Sequence, residues 1–140
     1  MKKAKKFISL FITICLLMTF VPMQMVYADS AFSGGNGTMD DPYLITSAND
    51  FKQLATEVNG GNNYSNTYFK IPETVTETIE LSTDDGYVPI GNDTNQFEGT
   101  FDGGNHTINL NLTGERLVGL FGEGGENSNL CNIRTTGSVS

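Results

Sequence analysis

The sequence predicts an all-β fold carrying a single helix. Three observations lead there. Beyond residue 67 the chain is built of short segments in which apolar and polar side chains alternate; Gly, Asn and Asp separate those segments; and helical periodicity occurs once, from Phe51 to Val58. Short strands between sharp polar turns fit a sandwich, a barrel or a parallel β-helix. The 16 Gly and 14 Asn suit the left-handed corners and stacked amides of a solenoid. A loose repeat points the same way, because Thr-Ile-Glu-Leu at 78–81 returns as Thr-Ile-Asn-Leu at 107–110.

Lys2 to Lys6 form a positive start, Phe7 to Val21 an apolar stretch, and Val26-Tyr27-Ala28 a small-residue cleavage signal. This is the three-part pattern of a secretory signal peptide, so residues 1–28 are expected to be removed after Ala28. Thr13, Thr19 and Pro22 interrupt the stretch, which disfavours an uncleaved anchor, and Cys15 follows Ile14 rather than a small residue, which disfavours lipidation. No membrane insertion is expected once the leader is gone. The mature balance is then 4 basic residues (Lys52, Lys70, Arg116, Arg134) against 16 acidic ones, net −12. Such a chain lacks the clustered cations that displace counterions from a phosphate backbone, so no nucleic-acid partner is expected.

Residues 29–46 read as an N-terminal loop, Gly34-Gly35-Asn36-Gly37, leading through Asp40-Asp41-Pro42 into the short strand Tyr43-Leu44-Ile45. Residues 47–61 read as a capping helix. Ser47 is the N-cap with Asp50 three residues on, Phe51, Leu54, Ala55 and Val58 form one apolar face, and Gly60-Gly61 supplies the stop. Residues 62–140 read as β coils. The expected strands are Tyr68 to Ile71, Thr76 to Leu81, Phe97 to Phe101, Thr107 to Leu112, Leu117 to Phe121 and Leu130 to Thr135. The alternation is cleanest in Thr107 to Leu112, where Ile108, Leu110 and Leu112 share one face. The last coil is expected to be incomplete at the C-terminal end, with an unpaired edge near Leu130 to Val139.

Six blocks in this order, Gly37 to Ile45, Asp50 to Leu54, Val88-Pro89-Ile90-Gly91, Phe97 to Gly103, His106-Thr107-Ile108 and Gly119-Leu120-Phe121-Gly122, resemble the N-terminal part of bacterial GLUG-motif surface proteins. The resemblance implies a right-handed parallel β-helix capped by the helix, in exported, adhesin-like proteins; the same module accompanies some IgA-cleaving metallopeptidases. Two stretches depart from the family pattern: Pro72 to Glu80 replaces the usual Asp-Ile-Asp strand, and Gly103-Gly104-Asn105-His106 the usual Gly-Asn-Gly-His turn.

Chemistry is sparse. Gly122-Glu123-Gly124-Gly125-Glu126 lacks the Lys-Ser/Thr ending of a phosphate loop, and one His106 with one mature Cys131 cannot close a zinc site. Cys131 reads as a packing thiol and His106 as a turn residue. Glu98 and Asp102 share an outer face, but four residues separate them by roughly 13 Å, beyond the carboxylate spacings of about 5 to 9.5 Å that glycosidases use. Asp40-Asp41, Asp84-Asp85-Gly86 and Asn92-Asp93 offer hard oxygen ligands for calcium, without an EF-hand or nonapeptide spacing; they read more simply as turn residues. Arg116 and Arg134 read as outward charges, and the Asn-x-Ser/Thr triplets at Asn36, Asn63, Asn92, Asn105 and Asn111 follow from composition. No catalytic residue, cofactor or metal is therefore expected. The expected role is a non-catalytic secreted or cell-surface structural or adhesive module. Its partners would be a host or cell-surface protein or glycan, and further coils of a longer chain of its own. The alternative is an accessory region of an exported enzyme, either glycan-acting or of the IgA-cleaving type.

Overall fold

A computed structural model describes residues 31–140. The leader, its cleavage after Ala28 and Cys15 lie outside the described residues. The elements are β1 (Tyr43–Leu44), α1 (Ala48–Asn59), β2 (Tyr68–Lys70), β3 (Ile79–Ser82), β4 (Thr100–Asp102), β5 (Thr107–Leu112), β6 (Asn129–Cys131) and β7 (Arg134–Val139). After α1 the chain alternates between two parallel sheets, one ordered β1-β2-β4-β6 and the other β3-β5-β7.

This corrects the expected all-β, right-handed parallel β-helix. The described residues form two small parallel sheets and one short helix, a mixed α/β fold of low helical content, and no third sheet closes them into a solenoid. The reason is local. Between the two sheets the strand-type pairing of the chain with its neighbour is limited to the isolated parallel bridges Ile90↔Phe121 and Phe97↔Gly124. Pro89 has no amide hydrogen to donate, Gly91 has φ 86° and Leu117 has φ 52°, so the pairing on this side is interrupted and forms no continuous ladder. The strand expected at Leu117 to Phe121 is accordingly absent. The one expected at Leu130 to Thr135 is split into β6 and β7 by Asn132, whose φ is 53°.

The helix forms as its sequence dictates. Ser47 Oγ accepts from the Asp50 amide at 3.4 Å, while Asp50 Oδ2 accepts from the Ser47 amide at 3.0 Å, a complete capping box. Phe51, Leu54, Ala55 and Val58 are wholly buried, and α1 packs against β3. The Phe51 ring also meets Phe101 of β4 at 5.7 Å, so the helix touches both sheets. Phe51, Leu54 and Val58 each contribute roughly 1.5–3 kcal/mol by leaving water. The core continues as an aromatic row, with Phe69–Phe97 at 5.8 Å, Phe97–Phe121 at 5.3 Å and Phe101–Phe121 at 5.5 Å between centroids.

The two sheets obey the expected alternation. In β5 the burial pattern places Ile108, Leu110 and Leu112 inward, and its pairing with β3 sets Ile79 beside Ile108 and Leu81 beside Leu110. The recurring Thr-Ile-x-Leu segments are therefore lateral neighbours. On the sheet containing β1, the inward row is Phe69 and Phe101; their neighbours Tyr68, Lys70, Thr100 and Asp102 face outward.

Candidate functional site

That outer face carries a cluster of aligned polar side chains; a separate depression of about 530 Å³ lies between Thr46–Ala48 and residues 74–80. Parallel pairing aligns Tyr68, Thr100 and Asn129 in one row and Lys70, Asp102 and Cys131 in the next. Two depressions meet there, and Tyr68 and Thr100 line both. The first, of about 280 Å³, is polar and is completed by Ser65, Asn66, Glu98 and Asn127. The second, of about 550 Å³, runs under the Met39–Pro42 overhang towards Lys70, Asp102 and Asn129. Met39 is 74% exposed at its rim.

The loops that shape this face are fixed by side-chain hydrogen bonds. Asn36 Oδ1 accepts from the Thr38 amide and hydroxyl at 3.1 and 2.8 Å, which turns the overhang. Asp102 Oδ1 accepts from the Asn132 amide side chain and from the Gly104 backbone, both at 2.9 Å. These two donors, the Asn132 amide first, hold the Asp102 carboxyl below the usual carboxylate range, with Lys70 adding to the effect. Burial, aided by the Asp102 carboxylate, pushes the neighbouring Cys131 thiol up. The Cys131 Sγ–H donates to the Phe101 carbonyl at 3.7 Å.

Glu98 and Asp102 occupy the separate depressions and are not brought together. Glu98 faces Asn63 and Asn127 amides, each at 3.5 Å. His106 follows the Gly104–Asn105 corner, where φ is 57° and 62°, and its Nε2 is buried without a hydrogen-bond partner. One guanidinium nitrogen of Arg116, Nη2, donates to both carboxylate oxygens of Asp93 at 2.8 Å, which turns that acid towards a cation of the chain's own. Asp40, Asp41, Asp84 and Asp85 are exposed turn residues, and Arg134 opens the exposed β7. Among the described residues no group of three His, Cys, Asp or Glu side chains is arranged to hold a metal. Gly122 lies outside the left-handed region, and a Cβ there would meet the Gly91 carbonyl oxygen at 2.5 Å. Leu120 is buried, and Phe121 packs on Phe97 and Phe101.

Tyr68, Lys70, Met39 and Asn129 escaped the sequence reading. The period-2 pattern around Phe69 does place Tyr68 and Lys70 on the wet face. What a single strand lacks is the register that lines it up with Thr100 and Asn129, 32 and 61 positions away.

No family model matches the chain. Over 136 residues, 94% of this chain, it is 32% identical to a protein of Evansella cellulosilytica described as a Gly-rich membrane protein, of which it spans 15%. Over 97 residues, 64% of this chain, it is 39% identical to halomucin of Haloquadratum walsbyi, of which it spans 1%. The chain thus corresponds to a small part of each of these relatives. No solved structure matches it. Among the described residues no helix is long and apolar enough to cross a membrane.

Proposed function

We propose that this chain is a non-catalytic module of an exported, surface-associated protein, and that it adheres through the outer face of the β1-β2-β4-β6 sheet. The observation that carries the reading is that face itself, where aligned polar side chains and Tyr68 surround two adjoining depressions. Three further points support it. The sequence opens with the signature of a secretory leader; two relatives are described as a membrane protein and a halomucin; and six of its sequence blocks resemble GLUG-motif surface proteins. Asp102 and Cys131 on the face are engaged in hydrogen bonds to Asn132, Gly104 and the Phe101 carbonyl, and Glu98 and Asp102 lie in separate depressions.

The test uses the fluorescently tagged full chain applied to intact cells, beside a Lys70→Glu/Thr100→Glu double variant whose changes both point to solvent. The expected result is cell binding by the parent and its loss in the variant at unchanged melting temperature. Equal binding by both proteins would remove the face from the function.

A further inference from the structure

The composition of the face narrows what it can hold. Across the strands its side chains recur about every 4.8 Å, and along them about every 6.6 Å. On this grid Tyr68 is the aromatic surface, and Thr100, Asn129, Asn127 and Asn66 supply hydroxyl and amide groups, each able both to donate and to accept. A ligand that is itself all hydroxyls and ring C–H satisfies such a lining: hydroxyls pair with the amides, and the C–H face of a ring lies on the tyrosine.

Charge removes the nearest competitors. Glu98, Asp102 and Asp40 line the depressions against the single cation Lys70, and the mature chain carries −12. A polyanion would meet repulsion both locally and at long range. An extended peptide is poorly served over β2 and β4, interior strands whose backbone groups are already paired, so strand addition is confined to the edge of β6, outside the Tyr68 row.

Resting on the adhesive reading above, we infer that this face binds an uncharged polysaccharide, with Tyr68 as the stacking platform between two sugar subsites. The polar depression of Ser65, Asn66, Glu98 and Asn127 forms one subsite. The other lies beneath Met39 and Pro42, beside Asn129. Tyr68 belongs to both, which is what a chain crossing from one to the other requires.

The full chain is run through native gels containing mannan, xylan, a mixed-linkage β-glucan or, as the charged counterpart, hyaluronan. Retardation by at least one neutral polymer and none by hyaluronan is expected. Tyr68→Ala should weaken that retardation about tenfold, Tyr68→Phe should preserve it because the ring remains, and Thr100→Trp should abolish it by filling the floor shared by both subsites. Melting temperatures equal to the parent's establish that each variant is folded, and Thr100→Trp remains informative should Tyr68→Ala unfold. Retardation by no neutral polymer, by hyaluronan alone, or equally in parent and Tyr68→Ala overturns the inference. If the parent still adheres to cells while every neutral polymer fails, the sugar assignment falls and the adhesive reading stands.

Discussion

At the scale of single residues, the corner after β4 is held by Asp102. Its carboxylate is the acceptor for both Asn132 and Gly104, and in the absence of these bonds Asn132 would have less reason to hold its left-handed φ of 53°. Because the folded state holds the Asp102 pKa below its ordinary value of about 3.9, the carboxylate stabilises the fold above that pH, and the stabilisation disappears as pH falls through the folded pKa. Glu57 is lowered as well, chiefly by its bond from Gln53, so the wild-type pH profile alone mixes two groups. The difference in melting temperature between the parent and Asp102→Asn isolates Asp102: it should be constant from pH 8 to 5 and shrink below about pH 4. A difference independent of pH down to pH 2 would contradict the role given to the carboxylate.

Gly122 is constrained in another way. Its amide donates to the Ile90 carbonyl at 2.8 Å, and the Gly91 carbonyl stands where a Cβ would be. Gly122→Ala is therefore expected to cost about 1–3 kcal/mol through overpacking, measurable by urea denaturation, even though the backbone angle suits any residue. Gly86, with φ 81° and open space around it, is the opposite case, limited by backbone angle alone.

At the scale of elements, α1 is fastened at both ends. Asp50, only 8% exposed, gathers the amides of Thr46 and Ser47 and the hydroxyl of Ser33, so one carboxylate ties the N-terminal segment to the helix start. At the other end Asn59 donates to the Pro89 carbonyl at 3.0 Å and accepts from the Gly91 amide at 3.0 Å and the Asn92 side chain at 3.2 Å; its backbone carbonyl takes the Asn95 side chain at 2.7 Å. Asn59→Ala leaves a carbonyl and an amide without these partners and should destabilise by about 1–3 kcal/mol. Asn59→Asp keeps the acceptor but sets a carboxylate against the Pro89 carbonyl, and should do no better. Thermal melts of the two variants check both statements.

The helix was legible because its signals are local: cap, box, face and stop all lie within fifteen residues. For the same reason β5 was readable, since six alternating residues report one buried face. What the sequence concealed is non-local or depends on one backbone angle. Nothing in Leu117 itself announces a φ of 52°, and Asn132 breaks a segment whose composition favours a strand. The candidate site was hidden more thoroughly, because Tyr68 gains its meaning only from neighbours that the sheet register supplies.

At the scale of the whole molecule, the two ends of the sheets differ. One end is partly covered: residues 33 and 34 pair with Leu44, through the Ser33 amide to its carbonyl at 3.2 Å and the Leu44 amide to the Gly34 carbonyl at 2.9 Å, while β3 lies against α1. Among the described residues no further strand lies beside β6 or β7 at the other end; Leu130 is 40% and Val139 51% exposed, and every residue of β7 is exposed. Amides directed outward from β7 should accordingly exchange with deuterium far faster than those of β5, which is flanked on both sides.

An asymmetric pair of ends also dictates how copies could meet. An end covered by residues 33 and 34 and by α1 offers little ladder to an open one, so head-to-tail growth into a filament is disfavoured. Two open ends can face each other only across a two-fold axis, and their meeting uses up both. Association of the described fold through its strands should therefore stop at the dimer, and sedimentation across a hundredfold range of concentration should resolve one and two copies, with no higher series.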